Sequence, residues 1–534
     1  MWEIVSEEEI AESVPRFDFL IVYIYAYGVI QSLGDAELIF TNRKVCFCMA
    51  CVALLLCATF VVAVDGDDDL LKMTSAVHDG EDERSFGGLV MSSAGSPMPT
   101  GNGDFSELVS HGNNESNWFP SIAIDSDGNL HVVWYELDIN DGFKSNILYR
   151  MKSGDSWMPI EVISADNARD NTWFFANFAK PSIALDSFGN VHVAWESDKN
   201  QSDSGTDQDI FYKVRTQGEW TATELVSTES DESSSLPSIA VDHDGNVHIA
   251  WTDASDIPGT EDNVSVFYKM KTALGWTSTR VIQSEADSIC KNANVIVGSN
   301  GDVHISWIEI TGEDYVHHIK HRMKADGHWG EVETVRQSNI EIGDWNGLGM
   351  ALESTGLLHL IWSEHDYQNN LNDPFTHNYH SVKDDGVWST PEMIPVGTYD
   401  SDPALSIDKD NRLHVVMAAY PLDYDSEIQS EPETINIGYI TYHDGSWSEY
   451  GFVDLDRIEA KMMMSIDVDS DRNVHVAWID ALPIGGLSMD LRYAMIDNSE
   501  LYTTSPEGET SVGVFVVFIA GLFVISMIVM RMRR

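Results

Sequence analysis

Basic residues are scarce in this sequence, and their scarcity excludes one class of partner. Lysine and arginine together number 31, against 86 aspartate and glutamate residues, so the formal net charge at pH 7 is -55. A surface of this sign repels a polyanion, and we therefore exclude nucleic acid as a partner. Cations, cationic ligands or a saline exterior suit the charge better.

Cysteine is also rare, which excludes a disulfide framework. The chain has five cysteines, and four of them lie in one apolar stretch: Cys46, Cys48, Cys51 and Cys57. Only Cys290 lies in the long middle part of the chain, where a single cysteine cannot form an internal bridge. The stability of that part must therefore come from its core.

The sequence also lacks a unique cluster of chemistry-bearing residues, because what looks like one is a repeat. The stretch DSDGNLHVVW at 125–134 recurs as near copies at 186–195 and 242–251, and as weaker copies four times more. A catalytic residue is needed once, so a residue that recurs in every copy is predicted to belong to the scaffold. The recurring histidines lie 55 to 61 residues apart and are His131, His192, His248, His304, His359, His414 and His475.

Each repeat contains four runs of β-forming residues. In the second repeat these are PSIALD, VHVAWES, DIFYKVR and WTATELVS, separated by the turns SFGN and TQGE and by one acidic loop. Such runs predict an antiparallel meander, and a four-stranded unit of about 55 residues matches a β-propeller blade. We therefore expect an all-β fold, a seven-bladed β-propeller of four-stranded antiparallel blades, over residues 104–500.

The turn and the histidine that recur in each repeat are both explained by structural roles. The turn glycines are expected at positive φ, and the leading aspartate is expected to accept hydrogen bonds from turn amides. Phe188 and Gly298 stand where a calcium loop needs oxygen ligands, so no metal is expected, with calcium at the turns kept as an alternative. The imidazole is expected to bond to the backbone of the adjacent blade. Histidines of neighbouring blades, about 8 to 10 Å apart, could not share a metal.

A propeller must also close, which means that its last blade must pair with its first. Residues 104–110, DFSELVS, resemble the fourth strand TATELVS of the second blade, although they precede the first blade. The seventh blade has three clear strands and only the weak run ELYTTS as a fourth. We predict that the N-terminal strand completes the seventh blade and so closes the propeller.

Two apolar segments frame the acidic middle of the chain. Residues 44–64 are predicted to be a signal peptide or signal anchor, because an uncharged run follows Arg43 and Lys44. Residues 512–530 are 19 apolar residues, long enough for one C-terminal transmembrane helix, and the basic tail 531–534 predicts a cytoplasmic end. We therefore expect a single-pass protein of the cell membrane with a large extracellular domain.

The remaining segments are assigned by composition. Residues 65–103 are predicted to be an acidic disordered stalk, and residues 501–511 a linker. Residues 1–43 are an N-terminal extension of uncertain status. Its apolar run FLIVYIYAYGVI is too short to span a bilayer, so both an over-extended translation start and a real extra segment stay open.

The repeat pattern resembles a known superfamily. Asp-x-x-Gly-Asn-x-His-Val-x-Trp at one turn, with Asp-Gly-x-Trp runs at another (326–329, 385–388 and 444–447), is similar to the sialidase-like, Asp-box (BNR) repeat β-propellers. The resemblance covers about residues 104–500 and implies a membrane-anchored, prokaryotic-type surface protein. It predicts the fold rather than an activity, since such repeats occur in sialidases, other glycosidases, lectins and unassigned surface proteins.

The same resemblance argues against sialidase catalysis. Sialidases of that superfamily bind the substrate carboxylate with an arginine triad that opens with an Arg-Ile-Pro signature, and this chain has no Arg-Ile-Pro. Arg150 and Arg215 lie on predicted third strands, away from the axis. No catalytic residue is assigned, and we expect a binding protein more than an enzyme.

The predicted ligand-binding face is the one that carries the long loops. The loops after the second and fourth strands of each blade are long and unlike each other, and variable loops on a rigid scaffold usually carry function. Trp118, Trp173 and Trp345 fall in segments between blades on that face. They are candidate platforms for sugar rings. The equally weighted alternative is that Trp173, Phe174, Phe175 and Phe178 simply plug their loop against the ring.

Acidic residues recur two positions beyond the tryptophan of the second strand. They could attract a cation or supply paired carboxylates for glycosidic chemistry, although a solvated acidic rim is the favoured interpretation. These residues are Glu136, Asp253, Glu309, Glu364 and Asp480.

The functional hypothesis combines these features. Sequons at Asn114, Asn200 and Asn263 fit an exported glycoprotein. We expect a membrane-anchored extracellular propeller that needs no cofactor and binds a glycan or another surface macromolecule, such as a surface protein. One alternative is a glycoside hydrolase or lyase that uses the rim carboxylates, and a second is a structural or adhesion component of the cell envelope.

Overall fold

The computed structural model describes most of the repeat region. The described residues are 106–111, 116–138, 144–164, 179–198, 207–258, 260, 263–312, 314–343, 347–365, 376–396, 399–420, 436–454, 460–481 and 489–497. The predicted signal, stalk, linker, transmembrane and tail segments lie outside these ranges, as do Trp173, Trp345, Asn114 and Asn200. None of the described residues forms a helix with the length and hydrophobicity that crossing a bilayer requires.

The described residues form strands, grouped as the repeats predict. A short strand, β1 (Glu107–Leu108), precedes the first repeat. The first repeat contains β2 (Ser116–Ile124), β3 (Leu130–Asp138), β4 (Lys144–Ser153), β5 (Ser156–Trp157) and β6 (Glu161–Val162). The second contains β7 (Ser182–Leu185), β8 (Val191–Ser197), β9 (Asp209–Thr216), β10 (Glu219–Trp220) and β11 (Glu224–Leu225). The third contains β12 (Ser234–Val241), β13 (Val247–Asp253), β14 (Ser265–Thr272), β15 (Gly275–Trp276) and β16 (Arg280–Gln283).

The later part of the chain continues the same order. The fourth repeat contains β17 (Ser288–Val297), β18 (Val303–Thr311), β19 (Val316–Ala325), β20 (His328–Trp329) and β21 (Glu333–Ser338). The fifth contains β22 (Glu341–Ile342), β23 (Leu348–Leu352), β24 (Leu358–His365), β25 (Thr376–Asp384), β26 (Val387–Trp388) and β27 (Glu392–Met393). The sixth contains β28 (Tyr399–Ile407), β29 (Leu413–Tyr420), β30 (Asn436–His443), β31 (Ser446–Trp447) and β32 (Gly451–Asp454). The last contains β33 (Ala460–Val468), β34 (Val474–Ala481) and β35 (Met489–Ile496).

Each repeat is an antiparallel meander in which the predicted fourth strand is split. In the second repeat the order is β7, β8, β9, and both β10 and β11 pair with β9. The second strand is buried on both faces, so Val193, Ala194 and Trp195 are fully buried. This strand is central in its sheet and lies between two neighbouring repeats, which explains its near-continuous apolar sequence.

The first strands of the repeats contact each other in a closed cycle. They run β2, β7, β12, β17, β23, β28 and β33, and β33 contacts β2 again. The inner edge of each first strand has no further strand to pair with, and serines of neighbouring repeats bond to some of its amides. Ser121 Oγ accepts from the Ile183 amide at 3.4 Å, and Ser182 Oγ accepts from the Ile239 amide at 3.2 Å. The recurring Pro-Ser-Ile therefore links one repeat to the next.

The N-terminal strand joins the two ends of the chain, as predicted. Strand β1 pairs antiparallel with β35, with Glu107 opposite Tyr493. The Val109 amide donates to the Leu491 carbonyl at 2.8 Å. The predicted pairing of the N-terminal strand with the last repeat is therefore confirmed.

The turn and its histidine form one buried network. Asp125 accepts the amides of Asp127 at 3.0 Å and Asn129 at 2.8 Å, and Gly128 has a φ of 78°, as expected for this turn. The predicted bond from the histidine to an adjacent backbone is wrong. His131 Nδ1 instead lies 2.7 Å from the hydroxyl of Tyr149, on the third strand of the same repeat, because that tyrosine lies diagonally opposite on the same face. Tyrosine holds this position in five repeats, while His321 and His380 replace it in two.

A second network connects the outer strands of neighbouring repeats. Trp220 of the second repeat donates its indole N–H to Glu161 of the first at 2.8 Å, and Arg215 contacts the same carboxylate at 3.1 Å. The indole edge meets the ring of Tyr149 at 5.2 Å between centroids. We call this contact the outer joint. Equivalent indole–carboxylate bonds join Trp157 to Glu107, Trp276 to Glu224, Trp388 to Glu333 and Trp447 to Glu392.

The closing strand should be essential for stability. Deleting residues 101–112 removes Glu107, the partner of Lys152 and of the Trp157 indole, and leaves these two half-buried groups without that acceptor. We expect the free energy of unfolding to fall by at least about 1.5 to 3 kcal/mol, the scale for a hydrogen bond to a charged group. Thermal unfolding of the full-length chain measures this, with deletion of residues 65–100 as the control. An unchanged melting temperature would show that the strand is dispensable.

The repeat histidines should make the fold acid-sensitive. Burial lowers the pKa of His131, His248 and His475 below the ordinary value of 6.5. The folded state then binds fewer protons than the unfolded chain, so this stability is complete above pH 6.5 and is lost as the pH falls below it. Each extra proton contributes about 1.4 kcal/mol per pH unit. Urea unfolding at several pH values should show the loss, with a smaller slope in His131→Gln and an unchanged slope in His243→Gln, an exposed control.

Candidate functional site

The carboxylates predicted to form a rim are buried, so the solvated-rim interpretation is wrong. The exposed fraction is 0% for Asp253, 1% for Glu309, 3% for Glu364 and at most 5% for Glu136 and Asp480. They lie at the long-loop ends of the second strands, where the neighbouring strands of the sheet and the adjoining segments cover them. The repeat spacing predicted that these carboxylates lie at equivalent positions of their strands. It did not predict that they are buried.

Most of these carboxylates have a structural partner in the tryptophan two residues before them. Trp251 donates its indole N–H to Asp253 at 2.9 Å, and Trp362 donates to Glu364 at 3.0 Å. In the last repeat Trp478 donates to Asp480 at 2.7 Å. In these three repeats the spacing is therefore explained by a buried indole that needs an acceptor. Trp134 differs, since it donates to Asn117 at 2.9 Å.

Cations on the third and fourth strands neutralise several of the same groups. Arg336 binds Glu364 through two nitrogens, at 2.7 and 3.0 Å. Arg492 Nε lies 2.9 Å from Asp480. Lys320 Nζ lies 3.1 Å from Glu309, whose other oxygen accepts from a glutamine side chain at 2.9 Å. These acids are engaged within the fold and are not arranged as an open pair of carboxylates.

Trp118 does not form an open sugar platform. It lies within β2, where its indole N–H donates to Ser116 Oγ at 2.8 Å. The side chain is half-buried and packs against the core between the first two repeats. Trp173 and Trp345 lie outside the described residues, so the proposal of a platform formed by the three tryptophans stays a prediction.

A different set of residues meets at the long-loop end of the axis. They occupy one position, the residue before the Pro-Ser-Ile motif or its equivalent, in the first strand of each repeat. We call this set the axial ring. Its members are Phe119, Lys180, Leu236, Asn292, Gly347, Asp402 and Met463.

A β-bulge sets the direction of most axial ring residues. Between Trp118 and Ser121 the register of β2 against β3 shifts, and four other first strands shift at the same place. A bulge leaves one residue unpaired and turns its side chain away from the regular alternation. The unpaired residues have φ between 50 and 54°, uncommon for non-glycine residues, and they are Phe119, Leu236, Asn292, Asp402 and Met463. Backbone held in this region is found often at binding sites.

Two members of the axial ring carry opposite charges. Lys180 belongs to the second repeat and Asp402 to the sixth, which are not neighbours in the cycle of first strands. Burial lowers the pKa of Lys180 to about 8, while the carboxylates of Glu196 and Asp402 act to raise it. Burial also raises the pKa of Asp402, against the effect of Lys180. The two groups therefore interact electrostatically across the axis, and both remain half-buried, not fully enclosed.

Glu196 supports two neighbouring members of the axial ring. Its carboxylate accepts hydrogen bonds from the backbone amides of Leu236 and Lys180. Burial raises the pKa of this carboxyl to about 8, although both amides act to lower it. Glu196 is thus placed to hold the second and third repeats in a fixed relation at the mouth of the axis.

The axial ring was not predicted from the sequence, because the prediction used residues that are the same in every repeat. The residue before Pro-Ser-Ile instead differs in every repeat while its neighbours recur, and this variation could have indicated the ring. Within the described residues, no group of three or more histidine, cysteine, aspartate or glutamate side chains is arranged to hold a metal ion. The turn carboxylates are instead satisfied by amides.

Comparisons with known proteins bear on the fold. No family model matches the chain, and no curated protein does. A polysaccharide lyase, an ulvan lyase solved bound to -[GlcA(1-4)Rha3S]-, is 12% identical, with a TM-score of 0.52 over 72% of this chain and 95% of its own. A GH93 α-L-arabinofuranosidase of Fusarium graminearum is 13% identical, with a TM-score of 0.41 over 72% and 94%. A Hadza microbial sialidase is 11% identical, with a TM-score of 0.39 over 69% and 77%.

These similarities concern the fold alone. The chain shares its all-β fold with the ulvan lyase, and the closed cycle of its first strands agrees with the β-propeller that the repeats predicted. An identity of 12% carries no activity from the lyase to this chain.

Glu364 should be needed for stability and not for ligand contact. Replacing it with alanine leaves Arg336 and the Trp362 indole without their acceptor in a buried place. We expect the free energy of unfolding to fall by about 3 to 5 kcal/mol, as for other broken buried pairs. Chemical denaturation measures this, with the exposed Glu331→Ala as a control that should change stability by less than about 0.5 kcal/mol. A stable Glu364→Ala protein would return this carboxylate to the list of candidate ligand-binding groups.

Proposed function

We propose that this protein is a membrane-anchored extracellular propeller of seven blades that binds an acidic glycan at its axial ring. The observation that carries the proposal is the charged pair of Lys180 and Asp402 on bulged or motif-adjacent positions at the mouth of the axis. An extended sugar chain lying across that mouth would meet the half-buried charged and apolar side chains of Lys180, Leu236, Asp402 and Met463. Such a mixture is typical of saccharide sites, where polar groups fix orientation and apolar groups cover ring faces.

The distribution of lysine favours an anionic ligand. The whole chain has 31 basic residues against 86 acidic ones. Lys180 and Lys291 nevertheless lie half-buried at the long-loop ends of first strands, and a lysine there can form a charge-assisted hydrogen bond with an anionic ligand. The ulvan lyase of similar fold was solved with a saccharide that contains GlcA, which fits this ligand class.

An enzymatic alternative is kept because of two groups that titrate near neutrality. Burial shifts the pKa of Lys180 down and that of Glu196 up, each to about 8. Groups poised in this range are suited to general acid–base chemistry, such as proton abstraction in a lyase reaction. The form of the hypothesis that uses the rim carboxylates has lost support, since Glu309 and Glu364 are engaged in ion pairs. A purely structural or adhesive role is the second alternative.

The cellular context of the proposal comes from the sequence. Residues 44–64 would direct export, and residues 512–530 would anchor the chain by one helix, with the basic tail 531–534 inside the cell. Asn263 lies in an exposed setting at a loop, where its side chain donates to the Glu285 carbonyl at 3.2 Å. Glycosylation there, and at Asn114 and Asn200, belongs to the same proposal.

Neutralising the axial lysine should weaken binding of acidic glycans. A charge-assisted hydrogen bond is worth about 1.5 to 3 kcal/mol, so Lys180→Gln should weaken affinity by roughly 10- to 100-fold. A glycan array of neutral, carboxylated and sulfated oligosaccharides, probed with the full-length chain, identifies ligands for titration. The matched control is Lys409→Gln, at an exposed turn on the opposite face.

The outcomes separate the three functions. Equal binding by wild type and Lys180→Gln contradicts the axial site, and the absence of any bound glycan favours the structural role. Incubation of each bound glycan with the protein, followed by product analysis, tests the enzymatic alternative. Cleavage that is lost in Glu196→Gln, with binding retained, would favour a lyase or hydrolase.

A further inference from the structure

The outer joint between the fifth and sixth repeats lacks the cation found at other joints. In five repeats the residue opposite the outer tryptophan is lysine or arginine: Lys152, Arg215, Lys271, Lys324 and Lys383. In the sixth repeat the equivalent residue, opposite Trp447, is Tyr442. The carboxylate of this joint, Glu392, accepts the Trp447 indole N–H at 3.0 Å. Glu392 therefore has the indole partner found at other joints. A neutral tyrosine, however, takes the place of the lysine or arginine found there.

A histidine lies where it could provide a positive charge next to Glu392. His380, the residue that replaces tyrosine in the fifth repeat, lies with its Nδ1 3.3 Å from the same oxygen of Glu392. Its Nε2 lies 3.1 Å from Nδ1 of His359, the repeat histidine. His359 Nε2 in turn lies 3.1 Å from Glu353 of the turn. The two stacked imidazoles thus form one hydrogen-bonded chain that ends in a carboxylate at each side.

The number of protons in this chain follows from counting donors. A carboxylate can only accept, so Glu353 and Glu392 each require an N–H from the adjoining imidazole. The imidazole–imidazole bond requires one more N–H. Three bonds therefore need three protons, whereas two neutral imidazoles hold only two. Three hydrogen bonds at these distances of 3.1 to 3.3 Å can therefore form together only when the pair carries one extra proton.

The fourth repeat provides a contrast. His304 and His321 also lie 3.1 Å apart, and His321 contacts Glu333 at 3.0 Å. The turn residue that would contact His304 is Gly298, so only two bonds need protons and two neutral imidazoles satisfy both. Glu333 also has its lysine, Lys383, at 2.7 Å. The extra proton is thus required only where the lysine is missing.

We propose that the His359–His380 pair is a pH-sensitive element of the joint between the fifth and sixth repeats. On mild acidification the pair takes up one proton, which gives Glu392 the positive partner that lysine or arginine provides at other joints. A second proton would place two positive charges on stacked rings and remove the acceptor between them, so the bond between the imidazoles would break. The joint is therefore tightest in a window of pH between the two protonations. This element is separate from the axial ring.

The charged groups around the two histidines determine the pH range of that window. The titratable groups that face the pair are Glu353 from the turn, Glu392 from β27 and Tyr442 from the sixth repeat. Burial lowers the pKa of His380 below 6.5, while Glu392 acts to raise it. Burial and the neighbouring His380 lower the pKa of His359 to about 4, with Glu353 acting in the opposite sense. The first proton is therefore expected below pH 6.5 and the second near pH 4.

Fluorine NMR of the full-length chain labelled with 5-fluorotryptophan tests the proposal. Trp447 lies edge-on to His380 at 5.1 Å between centroids, so its resonance reports the charge of that ring. The resonance is assigned by its loss in Trp447→Phe. Trp220, which meets Tyr149 in the equivalent joint, is the internal control. We expect the Trp447 resonance to shift in two steps, the first below pH 6.5 and the second near pH 4, while Trp220 shows neither.

Two variants decide the interpretation. His380→Tyr restores the residue that most repeats carry and should remove both steps. Tyr442→Lys restores the cation and should move the first step to lower pH, because a nearby positive charge opposes proton uptake. The proposal is overturned if Trp447 titrates like Trp220, or if His380→Tyr keeps the wild-type steps. It is also overturned if Tyr442→Lys leaves the first step in place.

Discussion

An indole N–H buried between two repeats needs an acceptor, and at the outer joints only the preceding repeat supplies one. Glu161 serves Trp220 in this way, and Glu107 serves Trp157 across the point where the ends of the chain meet. In five repeats the outer tryptophan uses a carboxylate from the neighbouring part of the cycle, and serines of one repeat accept inner amides of the next. The stability of the fold is therefore a property of the closed cycle, and the closing strand has the same role as every other junction.

This dependence also explains much of the acidic composition. Carboxylates accept the indoles of the outer joints, the amides of the turns and the indoles of the central strands, as Glu224, Asp242 and Asp253 illustrate. Part of the excess of acidic residues is thus consumed as internal hydrogen-bond acceptors. At the mouth of the axis the carboxylates of Glu196 and Asp402 act on Lys180 in a similar way.

The sequence allowed the fold to be predicted further than the site. Strand order, turn geometry and the pairing of the N-terminal strand depend on local patterns that repeat, so they could be inferred from spacing. The partner of His131 could not, since the hydroxyl of Tyr149 reaches it only through the register of two strands. The burial of Glu364 depends on Arg336 from a separate strand. Lys180 and Asp402 lie far apart in the chain, and only the curvature of the cycle brings them into interaction.

The bulged first strands separate recognition from folding. Each bulge residue is unpaired in its sheet, so its identity can change without altering the register on either side, and six different residue types share the ring with one glycine. Holding a non-glycine residue at positive φ costs about 1 to 2 kcal/mol. Glycine would relieve that strain at each of the five bulged positions, yet none of them carries glycine. The five strained residues therefore lower the stability of the fold, but they provide an inner surface with variable side chains. That surface could change its specificity while the surrounding strands keep their pairing.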